Sequence, residues 1–169
     1  MKKIITAVAV LFSVILCSCG AAPDAETLLS VLKDPYEAET AISDKDSVYT
    51  ATVLFDSNAL LFKLSAPELL CGVSYGFDKE NSYIVYNGQS IPFEADGADD
   101  TVSGGVLVWK KLLSANKEYT ARRSADQYVV TDGKTEYRFD KETKLPLYIK
   151  SGNITITFTN FKVKNDKTP

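Results

Sequence analysis

Residues that could act as catalysts are sparse, because the chain of 169 residues contains no histidine. Gly72-Val73-Ser74-Tyr75-Gly76 matches the G-x-S-x-G pattern, which in hydrolases presents a nucleophilic serine between a strand and a helix. That serine needs a histidine base, and the residues around Ser74 alternate as in a strand. Ser30 and Ser114 each start an S-x-x-K sequence, but the companion motifs of the penicillin-binding enzymes are absent. The sequence therefore predicts a protein that is not an enzyme.

Metal ligands are equally sparse in this sequence. With no histidine and only three cysteines, the chain lacks the usual zinc and copper ligand sets. Glu94, Asp96, Asp99 and Asp100 could approach a calcium ion, but their spacing matches no calcium-binding loop. We therefore expect no metal and no other cofactor.

The clearest chemical signal is the thiol of Cys19. Lys2 and Lys3 precede an apolar run, residues 4–16, that is typical of an export signal and short for a transmembrane helix. The run ends in Leu16-Cys17-Ser18-Cys19, which resembles the lipobox of bacterial lipoproteins, with Cys17 where another small residue is usual. We expect residues 1–18 to be a signal peptide, cleaved before Cys19, and the Cys19 thiol to be lipidated. A plain secretory signal is the alternative.

Lipidation of Cys19 has consequences for location. Two acyl chains on one residue are enough for stable membrane anchoring. The linker in residues 19–23 reaches roughly 15 Å, so the folded part is expected to lie close to the membrane surface. The predicted location is the bacterial cell envelope, on the outer face of the cytoplasmic membrane or on an outer membrane if the source has one.

Charge and cysteine content limit the partners. Without the predicted signal peptide the chain carries 17 basic and 22 acidic residues. An acidic chain with no basic run does not favour a nucleic-acid partner. Once Cys19 is lipidated, Cys71 has no thiol partner within the chain, and its apolar surroundings predict a buried side chain. We expect a monomer whose core is stabilised without a disulfide.

Turn signals and alternation predict an antiparallel sheet. Asp24 can cap a short helix over residues 24–33, and a period of two begins after Tyr36. Asn87-Gly88, Asp132-Gly133 and Ser151-Gly152 separate apolar runs as hairpin turns do. These turns predict that Tyr128 opposes Tyr137 and that Ile149 opposes Ile154, Leu147 opposes Ile156 and Leu145 opposes Phe158. Gln127, Glu136 and Arg138 fall on a polar face, as do Tyr148, Lys150, Thr155 and Thr157.

A second helix is predicted over residues 101–116, where Val106, Trp109, Leu112 and Leu113 form an apolar stripe. This helix is the expected cover for the apolar face of the sheet. The predicted fold is α+β, mainly β, in a single domain over residues 24–163, followed by a flexible tail at 164–169.

Three stretches together resemble a known family. They are APELLCGVSY at residues 66–75, YIVYNG at 83–88 and YRFDKETKLPLYI at 137–149, the last with the pattern Phe-Asp-x-x-Thr-x-x-Pro. They resemble the LolA/LppX-like bacterial lipoproteins. The resemblance implies a curved antiparallel sheet in an unclosed half-barrel, with one or two helices on its concave face. In the better-known members that cavity carries acyl chains or lipoproteins.

Two functions follow as hypotheses. The first is a membrane-anchored, non-catalytic lipoprotein that binds an apolar ligand, such as a lipid or acyl chain, in the concave cavity. The second is a protein–protein interaction module of the envelope, with a filled core and no ligand. In the first case we expect the ligand to contact aromatic and aliphatic residues of the helix and the strands: Trp109, Phe55, Phe62, Tyr128, Tyr137, Ile156 and Phe158. An empty or a filled concave side distinguishes the two.

Overall fold

The computed structural model of the protein describes residues 22–78, 81–94, 101–114 and 118–164. The predicted signal peptide, Cys19, Asp96, Asp99 and Asp100 lie outside the described residues. The predicted domain limits, residues 24–163, and the tail at 164–169 stay predictions.

Eleven antiparallel strands form one sheet in the order β6-β5-β4-β3-β2-β1-β11-β10-β9-β8-β7. Strands β6 and β7 are its two edges, so the sheet is not closed. The strands are β1 (Tyr36–Ser43), β2 (Val48–Phe55), β3 (Ala59–Ala66), β4 (Ser74–Asp78), β5 (Asn81–Tyr86), β6 (Gln89–Phe93), β7 (Thr120–Ser124), β8 (Gln127–Thr131), β9 (Thr135–Asp140), β10 (Pro146–Ser151) and β11 (Ile154–Val163). Helix α1 (Ala25–Ser30) precedes β1, and helix α2 (Thr101–Leu113) lies between β6 and β7. The predicted fold class, mainly β with an unclosed antiparallel half-barrel, is confirmed.

Helix α1 begins where the sequence predicts and ends earlier. The Asp24 carboxylate accepts a hydrogen bond from the Thr27 N–H at 3.4 Å, which satisfies one of the unpaired donors at the helix start. Leu28 and Leu29 are buried. After Ser30 the chain continues as a tight turn, in which Lys33 N donates to Ser30 O at 2.8 Å, and Pro35 then leads into β1.

Alternation along the strands divides the sheet into two faces. In β1, Tyr36, Ala38, Thr40 and Ile42 are buried, and the residues between them are exposed or partly exposed. We call the buried side the inner face and the opposite side the outer face. Because a strand repeats every two residues, the apolar positions of the neighbouring strands fall on the same inner face.

The predicted Asn87-Gly88 turn is confirmed, whereas two other registers are wrong. Asn87 and Gly88 have φ of 50° and 76°, as a type I′ turn requires, and Tyr86 pairs with Gln89. Around Asp132-Gly133, however, Tyr137 opposes Val130 and not Tyr128. The Asp132 side chain accepts hydrogen bonds from Lys134 N and Thr135 N, and this loop displaces the turn by one residue.

The Ser151-Gly152 hairpin is displaced in the same way. Gly152, with φ of 60°, is the first residue of the turn, so Ser151 pairs with Ile154 and Ile149 with Ile156. Strand β10 pairs with β11 only from Tyr148 to Ser151, so the predicted pairs of Leu145 and Leu147 do not form. The pairing of β10 with β9 is irregular between Pro146 and Tyr148, and Pro146 is buried where Leu147 was expected. Both displacements shift the pairing by two residues, which leaves the regularly paired side chains, such as Tyr137 and Ile149, on their predicted face.

Helix α2 lies on the inner face and packs against β1, β4 and β11. It spans 13 residues and ends at Leu113, three residues before the predicted end. At its start the Thr101 hydroxyl donates to the Asp44 carboxylate in the β1–β2 turn. Its glycines allow close approach: a Cβ on Gly105 would lie 3.5 Å from Ile42, and one on Gly104 would lie 3.1 Å from Ile154.

The core formed by the described residues runs from Ala25 to Phe158, with Phe161 packed against it. A protein that starts at Gly20 therefore keeps this whole core and is suitable for measurements in solution.

Candidate ligand-binding site

Trp109 lies at the centre of an aromatic cluster between α2 and the sheet. Its ring centroid is 5.8 Å from that of Phe62 in β3 and 5.7 Å from that of Phe158 in β11, both in edge-on orientation. Tyr36 in β1 lies 6.5 Å from Trp109 and 5.6 Å from Phe55 in β2. The period-two pattern of four strands brings these rings together, because each occupies an inner-face position.

The seven residues predicted to contact a ligand are not equivalent in the structure. Six are buried, with exposed fractions from 0% for Trp109 to 7% for Phe158, and Tyr128 is partly exposed. Trp109 contacts both Phe62 and Phe158, whereas Tyr137 packs against Tyr119 with centroids 6.0 Å apart. Their role in binding a ligand stays a prediction. The contacts around Trp109 show that, in this conformation, the part of the concave side beneath α2 is packed with side chains.

Buried polar atoms accompany these rings. Tyr36 Oη, Trp109 Nε1, Tyr119 Oη and Tyr137 Oη are buried without a hydrogen bond of regular geometry among the described residues. Burial raises the pKa of the Tyr36 hydroxyl well above its usual value, and the adjacent Trp109 indole offsets part of that rise. Burial also raises the pKa of Tyr137, with a smaller contribution from Tyr119. Tyr36 and Tyr137 are therefore neutral at physiological pH, and their hydroxyl groups add a desolvation cost to the core.

A row of apolar residues extends from Trp109 to the surface. Phe62 is paired with Tyr75 in β4, Tyr75 with Ile84 in β5, and Ile84 with Ile91 in edge strand β6. Ile91 is 54% exposed, and Tyr75 is partly exposed. We call Phe62, Tyr75, Ile84 and Ile91 the apolar row. At about 4.8 Å per strand it spans roughly 14 Å across the inner face.

The alternation of apolar residues in the sequence does not by itself identify this row as a ligand surface. The Asn87-Gly88 turn placed the apolar runs on either side of it in paired strands, and Tyr75 was named only within the G-x-S-x-G match and the stretch at residues 66–75. Their alignment in one row depends on the registers of three strand pairs, which the Asn87-Gly88 turn determines only for β5 and β6. Phe93 completes the surface by packing edge-on against Tyr75, with centroids 5.9 Å apart.

Two grooves of the described residues have polar linings. One, of about 580 Å³, lies by β8, β9 and β10 and includes Arg138, Tyr148 and Lys150. The other, of about 450 Å³, includes Lys111, Glu118 and Asp132. Neither groove is lined by any of the seven residues predicted to contact a ligand.

The structure also places Ser74 and Cys71, the two other reactive residues singled out from the sequence. Ser74 is the first residue of β4 and lacks the strand–turn–helix connection that G-x-S-x-G enzymes need. Cys71, predicted to be buried, is exposed, and that prediction is wrong. Cys71 is exposed because the chain leaves the sheet after Ala66 and Cys71 lies in the β3–β4 connection. Its thiol donates to Ser65 O at 3.0 Å.

The described ranges contain neither a group of metal ligands nor a membrane-spanning helix. In residues 22–78, 81–94, 101–114 and 118–164, no three histidine, cysteine or acidic side chains are grouped as metal ligands would be. Within the same part of the chain, no helix combines the length and apolar character needed to cross a membrane.

The chain is similar to several solved structures at low sequence identity. An uncharacterized conserved protein from Thermus thermophilus has a TM-score of 0.51 and 13% identity, over 83% of this chain and 88% of that one. A LolA superfamily protein from Nitrosomonas europaea has a TM-score of 0.47 and 10% identity, over 85% and 95%. LprF from Mycobacterium bovis has a TM-score of 0.36 and 12% identity, over 86% and 99%.

No family model matches the chain, and no curated protein matches it by sequence. At 13% identity, the likeness to the Thermus thermophilus protein shows the fold alone. The observed fold is an open half-barrel with helix α2 on its inner face, as the resemblance to the LolA/LppX-like lipoproteins implies.

Proposed function

We propose that the protein is a lipid-anchored protein of the bacterial envelope that binds an apolar ligand, such as a lipid or acyl chain, on its inner face without catalysis. The observation that carries this proposal is the apolar row, which connects the buried ring of Trp109 to the exposed side chain of Ile91. A surface of this kind offers an acyl chain an apolar path from solvent to the aromatic cluster.

Burial of methylene groups supplies the binding energy in this proposal. Each buried methylene contributes about 0.8 kcal/mol, so a long chain binds without a polar contact. The ligand first lies along the row at Ile91 and Ile84, where the inner face is accessible. Deeper entry requires α2 to move, because Trp109 is fully shielded and in contact with Phe62 and Phe158.

A fluorescence titration tests the proposal, because Trp109 is the only tryptophan of the chain. Fatty acid or phospholipid, added below micelle formation to the protein that starts at Gly20, is expected to shift the emission and saturate it. Ile91→Glu places a charge in the row and is expected to weaken binding by at least about tenfold. Val48→Glu is the matched control, because Val48 is 65% exposed and lies in β2, outside the row. An emission unchanged by several lipid classes contradicts the proposal.

The interaction module is the second candidate function. It is favoured by the packing beneath α2, where Trp109, Phe62 and Tyr36 fill the space between helix and sheet. In that case no lipid shifts the emission, and Ile91→Glu and Val48→Glu behave alike in the titration.

Anchoring through Cys19 is a separate part of the proposal and has its own test. In a bacterial host fed labelled fatty acid, the unaltered chain is expected to incorporate the label after cleavage before Cys19. Cys19→Ala is expected to abolish labelling, and Cys17→Ala, the matched control, to leave it unchanged. Labelling of Cys19→Ala at the level of the unaltered chain contradicts anchoring at this residue.

A further inference from the structure

The outer face of β8, β9 and β10 holds a concentration of positive charge. Lys134, Arg138 and Lys150 line the groove of about 580 Å³, and among the described residues of its lining Glu136 is the one carboxylate. The groove therefore carries a net charge of about +2, although the whole chain has a formal net charge of −3. Strand pairing assembles this charge from residues that form no basic run in the sequence.

Arg138 is held in a defined orientation. Its Nε donates to Glu136 Oε1 at 2.8 Å, and its Nη1 donates to Gln127 Oε1 at 3.1 Å. Its guanidinium carbon lies 5.2 Å from the centre of the Tyr148 ring. Among the residues that the structure describes, Nη2 has no hydrogen-bond partner. A guanidinium fixed in this way presents its remaining N–H donors to an anion at a small loss of side-chain entropy.

The residues paired with Arg138 on the neighbouring strands are Val129 and Tyr148. Val129 lies opposite Arg138 on β8 and is fully buried, although it belongs to the outer face. On the other side, Tyr148 is paired with Arg138 and its hydroxyl donates to Glu136 Oε1 at 3.4 Å. The side-chain hydrogen bond and charge of Glu136 raise the pKa of Arg138 above its usual value, so Arg138 stays charged at any physiological pH.

Two lysines flank this guanidinium. Lys150 lies opposite Glu136 on β10, and Lys134 lies in the β8–β9 turn beside Gly133. Both are exposed, and neither forms an ion pair within the described ranges. Long flexible side chains at these positions can turn toward an anion held at Arg138 and neutralise its remaining charge.

From this geometry we infer that the groove is a binding site for a phosphate group. Arginine with a free N–H edge matches the spacing of phosphate oxygens. The net charge of the groove also balances the charge of about −1.5 to −2 that a phosphate monoester carries at neutral pH. Inorganic phosphate and a phospholipid head group both present phosphate oxygens to such a site, although the diester of a head group carries less negative charge than a monoester. The site lies on the face opposite α2 and is independent of the apolar ligand.

Chemical-shift titration of the 15N-labelled protein that starts at Gly20 tests the site. Inorganic phosphate, added at constant ionic strength, is expected to shift the amide signals of Gly133, Lys134 and Gly152. The size of these shifts should reach a plateau as the site fills. Arg138→Gln is expected to lower the affinity about tenfold or more, as loss of a charged hydrogen-bond donor does. Lys150→Gln is expected to lower it several-fold without disturbing the contacts of Arg138.

Arg123→Gln is the matched control, because Arg123 is an exposed arginine of β7 that is paired with Tyr128 and lies on the inner face. It is expected to bind phosphate as the unaltered protein does. The inference is overturned if no amide of the groove shifts saturably, or if Arg123→Gln lowers the affinity as much as Lys150→Gln.

Further arms of the experiment identify the source of the phosphate group. Glycerol phosphate is titrated in the same way, and cosedimentation is measured with vesicles of phosphatidylcholine alone and with added phosphatidylglycerol. A lipid head group is supported if the protein cosediments with the anionic vesicles and Lys150→Gln reduces that cosedimentation. Saturation by inorganic phosphate without such cosedimentation supports a free phosphate. If Lys150→Gln and Arg138→Gln leave the binding of phosphate, glycerol phosphate and vesicles unchanged, the inference is overturned.

Discussion

The indole of Trp109 meets the ring of Phe62 edge to face, with centroids 5.8 Å apart and ring planes at 84°. Phe62 also lies opposite Tyr75 on the neighbouring strand, at the start of the apolar row. A single side chain thus connects helix α2 with the accessible part of the inner face. Under the proposed function, the stability of the core and the access of a ligand depend on this same contact.

Removal of the Trp109 side chain is expected to destabilise the protein strongly. Trp109 is fully buried between α2, β3 and β11, and a tryptophan-to-alanine change in such a place costs about 3–5 kcal/mol. Urea unfolding followed by circular dichroism measures the change in the free energy of unfolding. Tyr86→Ala, at a residue that is 51% exposed, is the control and is expected to cost less than about 1 kcal/mol. Equal effects of the two changes would show that Trp109 does not pack as described.

The two glycines of α2 are expected to differ in their response to alanine. Alanine is about 1 kcal/mol more favourable than glycine within a helix. At Gly105 the added Cβ makes an ordinary contact with Ile42 at 3.5 Å, so Gly105→Ala is expected to stabilise the protein by up to about 1 kcal/mol. At Gly104 the Cβ lies 3.1 Å from Ile154 and must displace it, which removes the gain. Thermal unfolding measures the stability of both variants. A Gly104→Ala protein that is more stable than the unaltered protein would contradict the close approach of α2 to β11.

Acid is expected to weaken the link between α2 and the β1–β2 turn. Hydrogen bonds from the Thr101 hydroxyl and from the N–H groups of Asp46 and Ser47 hold the pKa of Asp44 below its usual value. A carboxyl group with a lowered folded pKa contributes stability above its unfolded pKa, near about 3.9, and this is lost as the pH falls through the folded pKa.

Thr101→Val removes the largest cause of that lowered pKa. The free energy of unfolding of this variant is therefore expected to fall less steeply below about pH 4 than that of the unaltered protein. Thr120→Val is the control, because the Thr120 hydroxyl donates to a backbone carbonyl, Thr131 O, and not to a carboxylate. Acid unfolding curves as steep for Thr101→Val as for Thr120→Val would contradict the link.

Cys71 is expected to react readily and to contribute little to stability. Its thiol is exposed in the β3–β4 connection and donates to Ser65 O, a bond that a serine hydroxyl can replace. Cys71→Ser should change the free energy of unfolding by less than about 0.5 kcal/mol. In the protein that starts at Gly20, Cys71 is the only thiol, so labelling by a thiol reagent is expected without denaturant. A requirement for denaturant would place Cys71 in the core, as its sequence context suggests.

Faces could be predicted from the sequence better than registers. Tyr137 and Ile149 lie on the inner face as the alternation predicts, and Arg138 and Lys150 lie on the outer face. The partners of Tyr137 and Arg138 on β8 could not be predicted, because the Asp132 side chain accepts hydrogen bonds from Lys134 N and Thr135 N and so displaces the turn. A shift of two residues in the pairing of neighbouring strands leaves each side chain on the same face. The alternation of apolar and polar residues therefore cannot reveal such a shift.

The candidate sites needed more than the alternation provides. The position of Trp109 over the sheet could be predicted, because the apolar stripe of a helix is visible in consecutive residues of the sequence. In the structure Trp109 is buried between α2 and the inner face. The apolar row and the groove at Arg138 each combine residues from three or more strands. Such combinations depend on strand order and register together, which are set by distant parts of the chain.

The binding of an apolar ligand on the inner face is tested most directly by native mass spectrometry of the protein extracted gently from its own membrane. We expect a species heavier than the anchored chain by the mass of one lipid, absent from Ile91→Glu and retained in Val48→Glu. A spectrum of the unaltered protein that contains only the chain and its anchor, in repeated preparations, would contradict the account.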